Sequence, residues 1–107
     1  MTIMEEKIKQ IIKNELKGDF GISNSHGVDL IKCLVEPYLD TFEGSLHPEQ
    51  HVDLYVVLKE FPDSEEGYQI VYFPKFNKFG LALGRYKEKT GIFLGIYGTF
   101  LETLKGM

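Results

Sequence analysis

The sequence pattern that most resembles a metal site consists of two histidines with a glutamate between them. His47 and His51 lie four positions apart around Glu49, and on a helix this spacing would place both imidazoles on one face, as zinc ligands require. Pro48 follows His47 at the position where the metalloprotease helix has its glutamate, so that signature is absent. We expect an exposed loop here and no bound metal, with a metal site as the alternative.

The other candidate residues, for nucleophilic catalysis or phosphate binding, lack the neighbouring residues that such sites require. Cys33, the single cysteine, has no adjacent base in the sequence, and we expect a buried structural thiol. Lys89 and Thr90 lie among glycines, but no glycine run precedes them and a strand pattern follows, so a phosphate loop is not predicted. No serine stands in a Gly-x-Ser-x-Gly setting. The sequence therefore predicts no catalytic residue, no cofactor and no enzyme activity.

Charge is distributed unevenly along the chain. From Glu36 to Glu66 there are nine acidic residues and one basic residue, a net charge of -8, while the whole chain carries -4. Such a field steers basic partners and repels acidic ones. The alternative is a solvated acidic rim that aids solubility only. The predicted partner-binding acids are Glu36, Asp40, Glu43, Glu49, Asp53, Glu60, Asp63, Glu65 and Glu66.

Two helical patterns open the chain. Apolar residues at three- and four-residue steps predict a helix over Ile3 to Lys17, with Thr2 and Glu5 in capping-box spacing and Gly18 as its stop. A second stripe predicts a helix that is either kinked at Pro37 or divided there into two abutting short helices, because proline removes a backbone donor. That stripe consists of Val28, Ile31, Leu34, Val35, Tyr38, Leu39 and Phe42, closed by Gly44.

From Val52 onward the apolar period changes from 3.6 to 2, which predicts strands. Short links require antiparallel neighbours. Thr99 and Glu102 have capping-box spacing and predict a short terminal helix. Four strands are predicted, over 52–59, 68–73, 78–84 and 92–97. The prediction is one α+β domain, residues 1–107, with the helices on one face of a four-stranded antiparallel meander.

The predicted sheet has one face of special interest. If Phe79, Leu81 and Leu83 pack under the helices, Gly80, Ala82 and Gly84 form a flat stripe on the opposite face. Exposed apolar surfaces of this kind mark an interface or a ligand cleft. The alternative is that a helix covers it. The candidates for this sheet-face interface are Tyr55, Val57, Val71, Phe73, Phe93 and Tyr97.

Composition limits the class of protein. The chain has 107 residues, 43% hydrophobic and 26% charged, which excludes a disordered chain, and no apolar run approaches the roughly 18 residues of a membrane span. Acids outnumber bases, which argues against general nucleic-acid binding. With no secretory signal pattern and no cysteine pair, we expect a cytoplasmic protein.

Three stretches resemble small bacterial α+β proteins, among them toxin-immunity proteins. The resemblance covers roughly the C-terminal half and rests on Gly67–Phe73, Phe79–Ala82 and Phe93–Leu104. It implies a cytosolic inhibitor that binds a toxin tightly, and an acidic surface would suit a basic nuclease toxin. It assigns no binding residue, and it is an analogy at the level of the fold.

Three functions therefore stay open. The first is a non-enzymatic protein-binding domain, an immunity-type inhibitor that neutralises a partner toxin through its acidic surface. The second is a small-molecule binding domain or modest enzyme that uses the aromatic, glycine-lined sheet face. The third is a homodimer with stacked sheets.

Overall fold

A computed structural model describes residues 3–24, 26–87 and 89–107. The elements are α1 (Ile3–Leu16), α2 (Leu30–Cys33), β1 (Leu34–Gly44), β2 (His51–Lys59), β3 (Tyr68–Phe73), β4 (Lys78–Leu83), β5 (Gly91–Gly98) and α3 (Phe100–Gly106). The predicted α+β class is confirmed, but the described residues form five strands and not four. Among the described residues, no helix has the length and apolar content needed to cross a bilayer.

Helix α1 follows its sequence pattern. Ile8, Ile12 and Leu16 are buried on one face, and Gly18 adopts a positive φ of 81° just past the helix end, as predicted. The predicted N-terminal cap at Thr2 lies outside the described residues.

The prediction of a second long helix is wrong over most of its length. Only Leu30–Cys33 are helical, with Asp29 as N-cap, and the chain is a strand from Leu34 onward. Tyr38 and Phe42 are four apart, a spacing that both one helix face and one strand face satisfy, so periodicity could not separate the two structures. Pro37 decides against the helix, because its missing N–H is tolerated at a strand edge.

Strand β1 converts the predicted meander into a closed barrel. Consecutive strands pair antiparallel, and β1 and β5 then pair in parallel, but only over Phe42–Gly44 and Gly91–Phe93. These pairs join only the last three residues of β1 to the first three of β5. The closure is therefore short, and each closing strand keeps a stretch of edge that the other does not cover.

Two apolar clusters lie on opposite sides of the sheet. The outer cluster joins α1 and α3 to β2, β3 and β4, through residues such as Ile8, Tyr72 and Leu104. The inner cluster draws on all five strands and on no helix, which places it inside the barrel. Its fully buried members are Phe42, Leu54, Val56, Val71 and Ala82.

This arrangement changes the predicted sheet faces. Phe79 and Leu81 pack with the helices as predicted, but the opposite face is the filled interior and not an open surface. Tyr55 and Val57 belong to the helix-covered side. The register explains this, because Tyr55 pairs with Tyr72, and directly opposed residues share a face.

Helix α3 begins as its sequence predicted. Thr99 is the N-cap, and Thr99 and Glu102 form both hydrogen bonds of the capping box. A second carboxylate, that of Glu15 on α1, accepts hydrogen bonds from the Phe100 and Leu101 N–H groups, each at 3.0 Å. The free donors of the first turn are therefore satisfied both locally and by another helix.

Candidate functional site

One end of the barrel interior is polar. Lys59 pairs with Gln69, and Gln69 with Ala82 of the inner cluster, so these side chains share the inner face. Asp40 faces the same way, because it pairs with Leu54. The residues of this polar mouth, as we call it, are Tyr38, Asp40, Lys59, Glu65, Gln69 and Arg85.

Two ion pairs neutralise most of the charge at the polar mouth. Arg85 Nη2 lies 2.7 Å from Asp40 Oδ1, and the Asp40 side chain is only 15% exposed. This hydrogen bond and the attraction between the charges raise the pKa of Arg85. Lys59 Nζ lies 3.3 Å from Glu65 Oε1, with the lysine side chain 10% exposed. A lysine is rarely so buried without a carboxylate partner, so the pairing explains its position.

Two other polar atoms at the mouth are buried without a partner among the described residues. They are the Tyr38 hydroxyl and Gln69 Oε1, although Gln69 Nε2 donates to the Glu65 carbonyl at 3.3 Å. Burial raises the pKa of Tyr38 to about 12, and the carboxylates of Glu65 and Asp40 act in the same direction. Tyr38 is therefore a neutral hydrogen-bonding group at neutral pH and not a base.

A cleft of about 790 Å³ lies beside the polar mouth. Gly84 forms part of its wall, and a Cβ there would overlap the Glu65 carbonyl. The Gly84 N–H donates to the Gly67 carbonyl at 2.8 Å, which holds the two walls together. The polar residues that line the cleft are Glu43, Glu66, Tyr86, Lys89 and Thr90.

The nine predicted partner-binding acids, which we call the acidic band, lie in several separate parts of the structure. Glu43, Glu49 and Asp53 lie at the β1–β2 connection, whereas Asp63, Glu65 and Glu66 lie on the β2–β3 turn. Six of the nine acids lie within 4.0 Å of a basic side chain: Glu36 with Lys9, Asp40 with Arg85, Glu43 with His51, Glu49 with His47, Glu60 with His26 and Glu65 with Lys59.

Two members of the acidic band line the same cleft. Glu43 comes from the end of β1 and Glu66 from the β2–β3 turn, and both line the same space. Within the described ranges neither forms an ion pair with lysine or arginine, and Glu43 has only His51 at 3.9 Å. Lys89, Tyr86 and Gly67, which complete the cleft, were not predicted as site residues, because only the fold brings their loops together.

The candidate metal residues are exposed, but only His47 lies in the loop that was predicted for both, because His51 is the first residue of β2. His47 pairs with Glu49 and His51 with Glu43. Among the described residues there is no group of three or more metal-binding side chains. Cys33 is buried, its Sγ 3.6 Å from the Glu60 carbonyl. Burial raises the pKa of the thiol, which keeps it protonated and unreactive.

The six sheet-face candidates are not brought together on one open surface. Val71 is fully buried in the inner cluster, and Phe73 and Phe93 pack against it, with ring centroids 6.0 Å apart. Tyr55 and Val57 lie under the helices. Tyr97, 45% exposed, is the most accessible of the six.

No protein family, curated protein or solved structure matches this chain. The resemblance to immunity proteins therefore stays a prediction, and the site's own geometry is the basis for function. The cleft carries two carboxylates that have no lysine or arginine partner among the residues that the structure describes, and it lies beside two ion pairs.

Proposed function

We propose that this protein is a non-enzymatic protein-binding domain whose partner inserts a basic side chain between Glu43 and Glu66. The observation that supports this is that two carboxylates from distant parts of the chain line one cleft, and that among the described residues neither forms an ion pair with lysine or arginine. A guanidinium can form paired hydrogen bonds with such carboxylates.

The neighbouring ion pairs favour this function over a general acidic rim. Asp40 and Glu65 are neutralised by Arg85 and Lys59, whereas Glu43 and Glu66, among the described residues, have no lysine or arginine partner. An incoming basic group is attracted by Glu43 and Glu66 and repelled by Lys89, which lines the same cleft. These opposing forces restrict the positions that a basic group can take.

An immunity-type inhibitor in the cytoplasm is the specific form of this proposal. Its partner is a basic toxin encoded beside it, and binding covers the toxin surface that contacts nucleic acid. Net charge supports the complex through faster association, because opposite potentials steer the encounter.

The volume of the cleft also falls in the range of small-molecule sites. This cleft, however, presents two carboxylates and an ammonium group, whose charges a small molecule that fills it would have to desolvate. A protein side chain that stays partly hydrated matches that lining better than a buried small molecule.

The test is isothermal titration calorimetry with the purified product of the adjacent gene. We expect Glu43→Gln with Glu66→Gln to weaken binding by about 10- to 100-fold, since charged hydrogen bonds are lost. The control, Glu6→Gln with Glu49→Gln, changes the net charge equally at exposed acids outside the cleft and should bind like the wild type. Equal weakening by both variants, or no binding by the wild type, would overturn the proposal.

A further inference from the structure

A groove between α1 and β1 has no part in the proposed function. Its volume is about 560 Å³, and its surface is mainly apolar. Ile12 and Leu16 line it from α1, and Leu34 and Val35 line it from β1. The volume and the apolar lining are both typical of sites for small molecules. We call this space the α1–β1 groove.

The irregular start of β1 explains where the groove lies. The pairing of β1 with β2 shifts between Leu34 and Tyr38, and β5 pairs only with the last three residues of β1. No register pair therefore includes Val35, Glu36 or Pro37. Helix α1 packs beside β1, and the groove lies between this helix and the irregular segment of the strand.

The charged side chains along the groove are distributed unevenly. Glu36 on β1 is paired with Lys9 on α1 at 3.1 Å, so the rim is neutral there. Lys13, one helical turn beyond Lys9, forms no ion pair among the described residues. Glu6, the other carboxylate on the rim, lies about 10 Å from Lys13 along the helix axis. One end of the groove therefore offers an ammonium group beside apolar side chains.

We infer that the α1–β1 groove binds a free fatty acid, with its hydrocarbon chain against the apolar side chains and its carboxylate at Lys13. The chain and the groove both lose apolar surface to water when they meet, and the Lys13 ammonium donates a charge-assisted hydrogen bond to the carboxylate. The helix from Lys9 to Leu16 is about 10 Å long, which suits a chain of roughly ten carbon atoms.

A free fatty acid is favoured over a lipid in an anionic bilayer. Both ligands present an anionic head and a hydrocarbon chain. The protein, however, carries a net charge of -4, and an anionic membrane surface repels a protein of that charge. A single soluble carboxylate needs only the one ammonium group that the groove provides.

The test is an NMR titration of the full-length chain with decanoate, below the concentration at which decanoate forms micelles. We expect saturable shifts with a dissociation constant of about 0.1 to 1 mM, since the ligand is small. The shifted amide signals should be those of residues that line the groove: Ile12, Leu16, Phe20, Leu34 and Val35.

Two pairs of variants separate the head from the chain of the ligand. Lys13→Met should weaken decanoate binding about three- to fivefold, because it removes an exposed charge and keeps an apolar stem. Its control is Lys7→Met, on the same helix outside the groove. Phe20→Ala should weaken binding at least about threefold, because it removes an aromatic wall. Its control is Phe76→Ala, which alters a half-exposed phenylalanine on the β3–β4 turn.

Circular dichroism checks that each variant is folded, and Lys13→Gln replaces Lys13→Met if the latter is not. The inference is overturned by an absence of saturable shifts, by shifts centred outside the groove, or by equal weakening in the two lysine variants. Co-sedimentation with phosphatidylglycerol vesicles, without saturable decanoate binding, would identify a membrane surface as the ligand instead. Calorimetry on the cleft variants uses another ligand and another site, so either proposal can fail alone.

Discussion

Individual side chains at the polar mouth differ from what their neighbours in the sequence indicate. Tyr38 lies in a stripe of apolar residues and Gln69 between Tyr68 and Ile70, yet each places a polar atom in the interior without a partner among the described residues. A buried polar atom without a hydrogen bond costs free energy of folding. The two unpartnered polar atoms at the polar mouth therefore lower the free energy of unfolding.

Removing the Tyr38 hydroxyl tests that cost. We expect Tyr38→Phe to raise the free energy of unfolding at pH 7 by about 1 kcal/mol, because an unsatisfied group is deleted while the ring is kept. Because the pKa of Tyr38 is raised from its ordinary 10.0 to about 12, the folded state holds this proton more tightly. The stability due to this shift is present below pH 10 and is lost as the pH rises towards 12.

Urea unfolding at pH 7 and at closely spaced values above pH 9 measures both effects. Tyr38→Phe should lose less stability in alkali than the wild type does. Tyr97→Phe is the control, since it deletes the hydroxyl of a tyrosine that is 45% exposed. A large loss of stability in Tyr38→Phe at pH 7 would show that the hydroxyl is bonded after all.

Among the secondary-structure elements, short-range signals were reliable where they specified hydrogen bonds. The capping box of α3 was predicted from Thr99 and Glu102 and is present. The hydrogen bonds that the Glu15 carboxylate accepts were not predictable, because that residue is 85 positions from Phe100. Strand β1 was missed because its apolar spacing fits two structures equally well.

Thr99→Ala tests the cap. We expect a loss of about 1 kcal/mol in the free energy of unfolding, the usual effect of deleting an N-cap side chain. Hydrogen bonds from Thr99 lower the pKa of Glu102, so the stability due to this shift is present at neutral pH and lost as the solution becomes acidic. The variant should show a weaker acid dependence.

Thermal unfolding at pH 7 and pH 4 is the measurement, and Thr90→Ala is the control, since the Thr90 side chain makes no hydrogen bond among the described residues. If both variants lost the same stability, the Thr99 cap would not be the cause.

For the molecule as a whole, the decisive contact is the closure of the sheet. Three residue pairs between β1 and β5 turn a meander into a barrel. Because the sheet closes, the face that was predicted to be open becomes the barrel interior, and the residues of the polar mouth lie at one end of that interior. Residues 94–98 of β5 have no β1 partner. A local sequence pattern contains no information about this closure, because β1 and β5 are separated by three other strands.

Gly91 is the residue on which closure depends. It pairs with Phe42, and a Cβ there would lie 2.7 Å from the Leu83 carbonyl oxygen and 2.9 Å from the Phe42 ring. We expect Gly91→Ala to lower the free energy of unfolding by about 2 kcal/mol, since the strand must shift. Gly95→Ala, whose Cβ meets nothing within 4 Å, is the matched control. Urea denaturation of both variants is the measurement, and equal losses would contradict this role for Gly91.

The sequence by itself determined the α+β class, the first and last helices, and the bounds of β2 to β5 to within about one residue. Each depends on apolar periodicity or on capping, and both can be recognised from residues that lie close together in the sequence. Only the tertiary structure decided which sheet face is interior and which acids line the cleft. These depend on strand register and on contacts between distant segments, where a shift of one residue exchanges the two faces of a strand.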